Sequence, residues 1–473
     1  MVILVVEMNV ADPTAKCNSY DVAVIGGGVV GCAVARRLTL DGARVILVEK
    51  GADILSGASK ANSALLHTGF DAPPGSLELA CMQRGYAEYL AIRAELNLPL
   101  LETGGMVIAW TQEQQAKLPS ILTRAHANGV ADARLIDADA IHAREPALDT
   151  RALSAVFVPG EHVIDPWSAP LAYLTQAVAN GAEFRRSTEV VGGRFADGAW
   201  SLDTDTGPIA ARYVVNCAGL FGDRLEAALL GDASFTIKPR KGQFLVFDKM
   251  AARLLRTIIL PVPTERTKGV VLARTAFGNV LVGPTAEEQD DREHATVERD
   301  TLEDLRQAAI AMVPALADVP VNAVYAGLRP ASEQKHYRTR RDDDRNFLSL
   351  GAIRSTGLTA ALGLAQYASG QLAQMGLDTV PLAAPAVTLV PNISEMAPRD
   401  WQADGHGAMV CHCELVTERE IAAAFATPVP PGDLGGLKRR TRACMGRCQG
   451  FYCSAQVARL SAPHLTPAMA VAS

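Results

Sequence analysis

Val22-Ala23-Val24-Ile25-Gly26-Gly27-Gly28-Val29-Val30-Gly31 is the stretch whose reading decides the fold. Its four leading apolar residues predict a short buried strand, and a helical pattern runs on from the glycines through Arg37 and Leu40. A second strand is expected from Arg44 to Val48, ending in Glu49. Glycines spaced G-x-G-x-x-G between a strand and a helix, with an acidic residue about 20 positions on, make a dinucleotide-binding βαβ unit. Gly26 permits the tight turn, Gly28 lets a pyrophosphate approach the backbone, and Gly31 lets helix and strand pack closely. The helix N-terminus then offers its partial positive charge to the phosphates. Glu49 is expected to bond the adenosine ribose hydroxyls, where its charge would repel a 2′-phosphate. The fingerprint by itself does not separate FAD from NAD.

The composition around this unit is that of a globular enzyme. Of 473 residues, 49% are apolar and 20% charged, and the net charge of −6 implies no basic surface for nucleic acid. The length suits two or three domains. Cys17, Cys32, Cys81 and Cys217 are scattered among apolar neighbours, as expected of buried thiols in a reducing, cytoplasmic compartment rather than of a disulfide framework. Met1 to Val6 is apolar but too short to span a bilayer, and it lacks the basic flank of a signal peptide. Residues 1–19 are read as a leader, with any membrane contact peripheral, at the inner face of the cytoplasmic membrane.

The other end holds five of the nine cysteines: Cys411-His412-Cys413, then Cys444-Met445-Gly446-Arg447-Cys448-Gln449-Gly450-Phe451-Tyr452-Cys453. Thiolates gathered this densely repel one another unless a cation neutralises them, so the segment reads as a metal site. A structural zinc knuckle is the main rival, although its paired ligands stand two to four residues apart and Cys-x-Cys is tighter. The segment resembles the small [2Fe-2S] domain of the bacterioferritin-associated ferredoxin type, in the variant that closes with Cys-Gln-Gly-x-x-Cys. That resemblance implies Cys411, Cys413, Cys448 and Cys453 as ligands. Cys444 is a fifth thiol where such domains often carry a small residue. Lys438, Arg439, Arg440 and Arg442 lie between the ligand pairs, either to offset an anionic cluster, to dock an acidic partner, or as a solvated helix face.

Gly57-Ala58-Ser59-Lys60-Ala61-Asn62-Ser63-Ala64-Leu65-Leu66-His67-Thr68-Gly69-Phe70 is a small-residue loop running into an apolar strand. It resembles the corresponding loop of the glycine oxidase, D-amino acid oxidase and glycerol-3-phosphate dehydrogenase superfamily of flavoproteins, which implies FAD, with Asn62 and Ser63 at the flavin. Three later stretches resemble that superfamily in the same order. Ser187-Thr188-Glu189-Val190 implies Val190 at the adenine. Val214-Val215-Asn216-Cys217-Ala218-Gly219 implies Ala218 and Gly219 at the returning turn. Gly351-Ala352-Ile353-Arg354-Ser355-Thr356-Gly357-Leu358-Thr359 implies Gly357, Leu358 and Thr359 facing the flavin from the last helix N-terminus.

These positions predict an α/β chain in which a Rossmann-like FAD-binding domain (20–90, 150–230 and 340–377) is interleaved with an α+β substrate domain built on an antiparallel sheet (91–149 and 231–339). The alternating runs at 242–247 and 279–283 supply that sheet. Residues 378–404, rich in Pro and Ala, are read as a linker to a small helical iron-sulfur domain at 405–473.

Over nearly its whole length the chain resembles bacterial FAD-dependent, iron-sulfur-tailed glycerol-3-phosphate dehydrogenase-like proteins, themselves akin to L-2-hydroxyglutarate dehydrogenases. Carrying stretches include Lys60-Ala61-Asn62-Ser63, His67-Thr68-Gly69-Phe70-Asp71, Pro239-Arg240-Lys241-Gly242-Gln243 and Gly327-Leu328-Arg329-Pro330. The resemblance implies oxidation of sn-glycerol 3-phosphate to dihydroxyacetone phosphate. Its rivals are a 2-hydroxy acid such as L-2-hydroxyglutarate, an amine or imino acid, and a non-catalytic electron-transfer subunit. Removing hydride and proton from an alcohol calls for a base beside the flavin, and His67 is the candidate; its plainer reading is a histidine bonding flavin or backbone. An anionic substrate needs cations, for which Arg329, Lys241 and Arg354 are the candidates. A one-electron cluster beside a two-electron flavin implies export to a redox protein or quinone system.

Overall fold

The glycine fingerprint turns at the C-terminal end of an inner strand of a mostly parallel sheet in the computed structural model, which describes residues 19–263 and 269–465. The expected leader and Cys17 fall outside the described residues, apart from Ser19. The strand Tyr20–Ile25 lies between Val45–Val48 and Ile209–Asn216, parallel to both, with Ile25 opposite Val48 on one side and Asn216 on the other. Glu183–Arg185 extends the sheet beyond Val45–Val48, and Phe347–Gly351 extends it beyond Ile209–Asn216. Helices Val29–Leu40, Ser168–Ala179 and Gly357–Gln374 pack on it through one core that includes Val22, Cys32, Leu47, Tyr173 and Leu362. Strands covered on both faces carry continuous apolar runs, and Val-Ile-Leu-Val at 45–48 is buried throughout for that reason. Cys32, Cys81 and Cys217 are buried free thiols.

A second sheet carries the alternating runs. Ile237–Phe247 pairs antiparallel with Val280–Gly283 and, along its length, with Val321–Ser332. The sheet departs from the antiparallel expectation at one junction, where Ile258–Pro261 runs parallel to Gly105–Ala109. There the two chain segments that build this domain meet without a hairpin between them, so no turn dictates their direction. The strand Ser154–Val158, inside the segment 150–230 assigned to the dinucleotide unit, pairs with Gly105–Ala109 in this second sheet. A three-stranded sheet, Leu65–Leu66, His162–Ile164 and Leu100–Glu102, joins the two domains beside His67.

Residues 378–404 lie extended over the dinucleotide domain. Leu382 N donates to Leu40 O, Ala386 N to Asn180 Oδ1, and Asn97 Nδ2 to Val390 O. The segment ends on the cysteine domain, whose helices Glu418–Phe425, Leu434–Thr441 and Ser454–Ser461 enclose a small apolar core. Thr417 and Asp433 cap the first two helices by accepting from Glu420 N and Gly436 N. Among the described residues, no helix is long and apolar enough to cross a membrane.

Candidate active site and cysteine centre

The glycine cradle has the shape its spacing predicts. Gly26 adopts φ +112, and a Cβ there would stand 2.5 Å from Cys217 O; a Cβ on Gly31 would stand 1.9 Å from Gly26 O. Gly28 meets only Ser59 Oγ, at 3.3 Å from its ideal Cβ, and as N-cap it brings no side chain to the first helical amides. Those amides therefore face an open approach, except that Val29 N donates to Ser59 Oγ (3.1 Å). Glu49 is buried at the end of its strand, accepting from Gly27 N (2.6 Å) and Gly51 N (2.7 Å); burial raises its pKa against those two bonds. Gly219 adopts φ +54 with open space around it, and Thr356 starts the Gly357–Gln374 helix without a side-chain cap. Uncapped helix starts, an open glycine and a buried acid at a strand end suit the phosphates and ribose of a dinucleotide. Val190 opens the Val190–Ala196 strand, half-buried against the core beneath it.

The 57–70 loop is shaped from within. Asn62 Oδ1 accepts from Ala64 N and its amide donates to Ser59 O, so its side chain holds the turn, while its backbone O accepts from Tyr325 OH. Ser63 is half-buried beside it. The Val321–Ser332 strand passes close above, since a Cβ on Gly327 would stand 2.5 Å from Ala61 Cβ. His67 follows the short Leu65–Leu66 strand; its amide donates to Thr359 Oγ1 (3.0 Å), which ties the loop to the last helix.

His67 Nδ1 lies 2.6 Å from Glu161 Oε2. Glu161 is 0% exposed, and its other oxygen accepts from both Thr68 N and Thr68 Oγ1 at 2.7 Å. A carboxylate held this way sets the imidazole's tautomer and orientation and stabilises its charged form. Sequence reasoning missed Glu161, which sits in Pro159-Gly160-Glu161-His162, a loop with no motif and 94 residues from its partner.

Two of the three candidate cations share a feature. Arg329 donates through Nη2 to Lys241 O (2.9 Å) and Thr285 O (2.7 Å), while its Nε is buried without a partner among the described residues. Arg354 Nε is buried and unpartnered in the same sense. Burial, with Arg240 and Arg354 nearby and Glu287 opposing, pushes the Arg329 pKa down to about 10, so it stays charged at neutral pH. Lys241 differs: its Nζ is ion-paired to Glu298 (2.5 Å) and Glu287 (2.9 Å), which raise its pKa. Its charge is already answered inside the protein.

Four of the five free tail thiols converge as two pairs, Cys411 with Cys453 and Cys413 with Cys448, within hydrogen-bonding reach of each other, and the fifth, Cys444, has its Sγ 3.5 Å from Cys453 Sγ. Pairs of thiols suit a two-iron cluster, which takes two from the protein at each iron. Cys448 accepts from the amides of Tyr452, Gly450 and Phe451, which lower its pKa, whereas burial raises those of Cys411, Cys413, Cys444 and Cys453. A Cβ on Gly446 would stand 2.3 Å from Cys413 Cβ, so only glycine fits there.

The arginines between the ligand pairs are structural, whereas Lys438 lines the cavity described below. Arg440 forks onto Asp53 (2.6 and 2.9 Å) with side-chain exposures of 5% and 0%, and Arg439 donates to Ile54 O. Arg442 pairs with Glu414 (2.7 Å) and lies over the Phe277 ring. Arg447 bonds Asp248 of the second sheet's domain. The cysteine domain is thus fastened to both others. A cavity of about 390 Å³ is lined by Ala61, Asn62 and Tyr325 on one side and by Arg442, Met445 and Gln449 on the other, so the loop and the cysteine segment share a wall.

Fold, cradle and thiol pairs define a dinucleotide-dependent oxidoreductase with an iron-sulfur tail. The chain belongs to the family described as FAD dependent oxidoreductase, whose model matches residues 21–371, and a BFD-like [2Fe-2S] binding domain matches residues 409–461. FAD and a [2Fe-2S] cluster are its cofactors. It is 30% identical over 94% of both chains to a glycerol 3-phosphate dehydrogenase of Caloramator mitchellensis. It is 27% identical to one subunit of the anaerobic glycerol-3-phosphate dehydrogenase of Escherichia coli (strain K12), across 94% of this chain and 89% of that one. The FAD-bound L-alpha-glycerophosphate oxidase of Mycoplasma pneumoniae superposes with a TM-score of 0.73 at 26% identity, covering 79% of this chain and 99% of that one.

Proposed function

We propose that the chain oxidises sn-glycerol 3-phosphate to dihydroxyacetone phosphate and passes the electrons through its cluster to a separate acceptor, a redox protein or a membrane quinone system. The observation that carries this reading is the neighbouring pair of guanidinium groups, on Arg329 and Arg354, that have neither an ion-pair partner nor an acceptor for their buried Nε among the described residues. A buried donor left unpaired is costly, and a phosphate supplies the missing acceptors and the opposing charge. The similarity to glycerol 3-phosphate dehydrogenases supports phosphate over a second carboxylate.

In this reading Gly26, Gly28, Gly31, Glu49, Asn62, Ser63, Val190, Ala218, Gly219, Gly357, Leu358 and Thr359 hold FAD, and Cys411, Cys413, Cys448 and Cys453 hold the cluster. Bound FAD supplies hydride acceptance from the substrate carbinol, and the cluster supplies one-electron transport. Arg329 and Arg354 hold the phosphate and orient the carbinol. His67 takes the hydroxyl proton at Nε2, while Glu161 holds Nδ1 and stabilises the resulting imidazolium. Lys241, neutralised by two glutamates, braces the sheet instead of touching substrate. The wall shared by the flavin loop and the cysteine segment supports a short electron path between the centres.

The test is anaerobic loss of flavin absorbance on mixing the purified protein with glycerol 3-phosphate, L-2-hydroxyglutarate, lactate or amino acids. Bleaching by glycerol 3-phosphate at the lowest concentration is expected. Preferential bleaching by another substrate refutes the assignment, and bleaching by none returns the chain to an electron-transfer role.

A further inference from the structure

The cysteine centre holds one thiol more than a [2Fe-2S] cluster uses. Cys444 is 4% exposed, and its Sγ stands 3.5 Å from that of Cys453, whose free thiol is also within hydrogen-bonding reach of Cys411. Its backbone amide donates to both Cys411 and Cys453. Cys413 and Cys448 form the other pair, on a loop where the Cys448 sulfur is cradled by three amides. The fifth thiol therefore stands with the Cys411–Cys453 pair, beside the Cys453 sulfur. Cys444 has φ +63, a left-handed conformation that suits glycine, yet it carries a sulfur pointed at Cys453.

We propose that Cys444 is a reserve cluster ligand, able to replace Cys411 or Cys453 at their shared iron but unable to replace Cys413 or Cys448. The exchange is a ligand substitution: the Cys444 sulfur binds iron and releases its proton to solvent, the Cys411 or Cys453 sulfur leaves the iron and takes a proton up, and no electron is transferred. The proposal rests on the ligand set Cys411, Cys413, Cys448 and Cys453.

The test uses the full-length holoenzyme and alanine variants, which leave no oxygen ligand behind. Iron and acid-labile sulfide per chain, and the electron paramagnetic resonance spectrum of the dithionite-reduced protein, report the cluster; bound FAD and the thermal midpoint report folding. Cys444→Ala should keep its iron and the wild-type spectrum. Cys453→Ala and Cys411→Ala should each keep at least about half of the iron with shifted g values, whereas Cys448→Ala and Cys413→Ala should lose about tenfold. Adding Cys444→Ala to either of the first pair should empty the site. If Cys453→Ala and Cys411→Ala lose iron as fully as Cys448→Ala while FAD stays bound, the reserve role is overturned and the four-ligand set stands. If Cys444→Ala alone empties the site, both are overturned.

Discussion

Replacing Arg329 by alanine removes a candidate phosphate ligand whose Nε is buried without an acceptor among the described residues. Its Nη2 is already committed to Lys241 O and Thr285 O, so Nε and Nη1 remain to meet the ligand. A hydrogen bond involving a charged group contributes about 1.5–3 kcal/mol, and two to one phosphate, offset in part by water entering the variant, should amount to about 2–4 kcal/mol. That corresponds to a fall in kcat/KM of about 30- to 1000-fold. Arg329→Lys should recover only part of it, because an ammonium lacks the planar fork. The Arg329 charge persists until pH approaches its pKa of about 10, so substrate affinity should hold across neutral pH and weaken only as pH rises through that value. Losing the two carbonyl contacts should also lower the thermal midpoint, which must be measured so that rates are taken on folded protein. The assay is stopped-flow flavin reduction against glycerol 3-phosphate concentration. An Arg329→Ala enzyme with wild-type rate and affinity would falsify the placement of Arg329 at the substrate.

Four further variants have expected outcomes. His67→Ala should slow flavin reduction about 100-fold or more at neutral pH; Glu161→Gln, lacking the charge that favours imidazolium, should lower the base's pKa and move the acid limb of the pH–rate profile to lower pH, and an unmoved limb removes the pair from proton transfer. Asp53→Ala leaves Arg440 buried without its carboxylate and should destabilise the domain contact by about 3–5 kcal/mol, read as faster proteolytic release of the cysteine domain and slower cluster reduction after substrate; unchanged kinetics of both would show that the contact is dispensable. Gly31→Ala puts a Cβ 1.9 Å from Gly26 O and should abolish FAD retention, so a variant that purifies with full flavin contradicts the cradle.

The elements legible in the sequence are those whose chemistry is local. Gly26, Gly28 and Gly31 are required by contacts within one strand, turn and helix, and the cysteine loop closes mostly over ten residues, so spacing alone carries their reading. The second sheet's strands at 242–247 and 279–283 were legible through alternation, but its parallel junction between Ile258–Pro261 and Gly105–Ala109 was not, because alternation marks a strand without naming its neighbour or direction. The same limit applied to charge. Lys438, Arg439, Arg440 and Arg442 form a basic run whose pattern is equally that of a solvated face. Folding decides that Arg440 meets Asp53, 387 residues away, and that Arg442 meets Glu414.

By itself, then, the amino-acid order determined a dinucleotide cradle and a thiol-rich metal site, since glycine and thiol spacing act through backbone sterics and bond lengths that do not depend on the rest of the chain; FAD and the [2Fe-2S] cluster followed from the family the chain belongs to. Tertiary structure alone decided which charges remain available for chemistry. It buried Glu161 against His67, paired Lys241 with Glu287 and Glu298, and left Arg329 Nε and Arg354 Nε without acceptors among the described residues. The reason is physical: a buried charge takes its partner from whatever the packed chain brings within reach, and nothing in the local spacing of the residues specifies that partner.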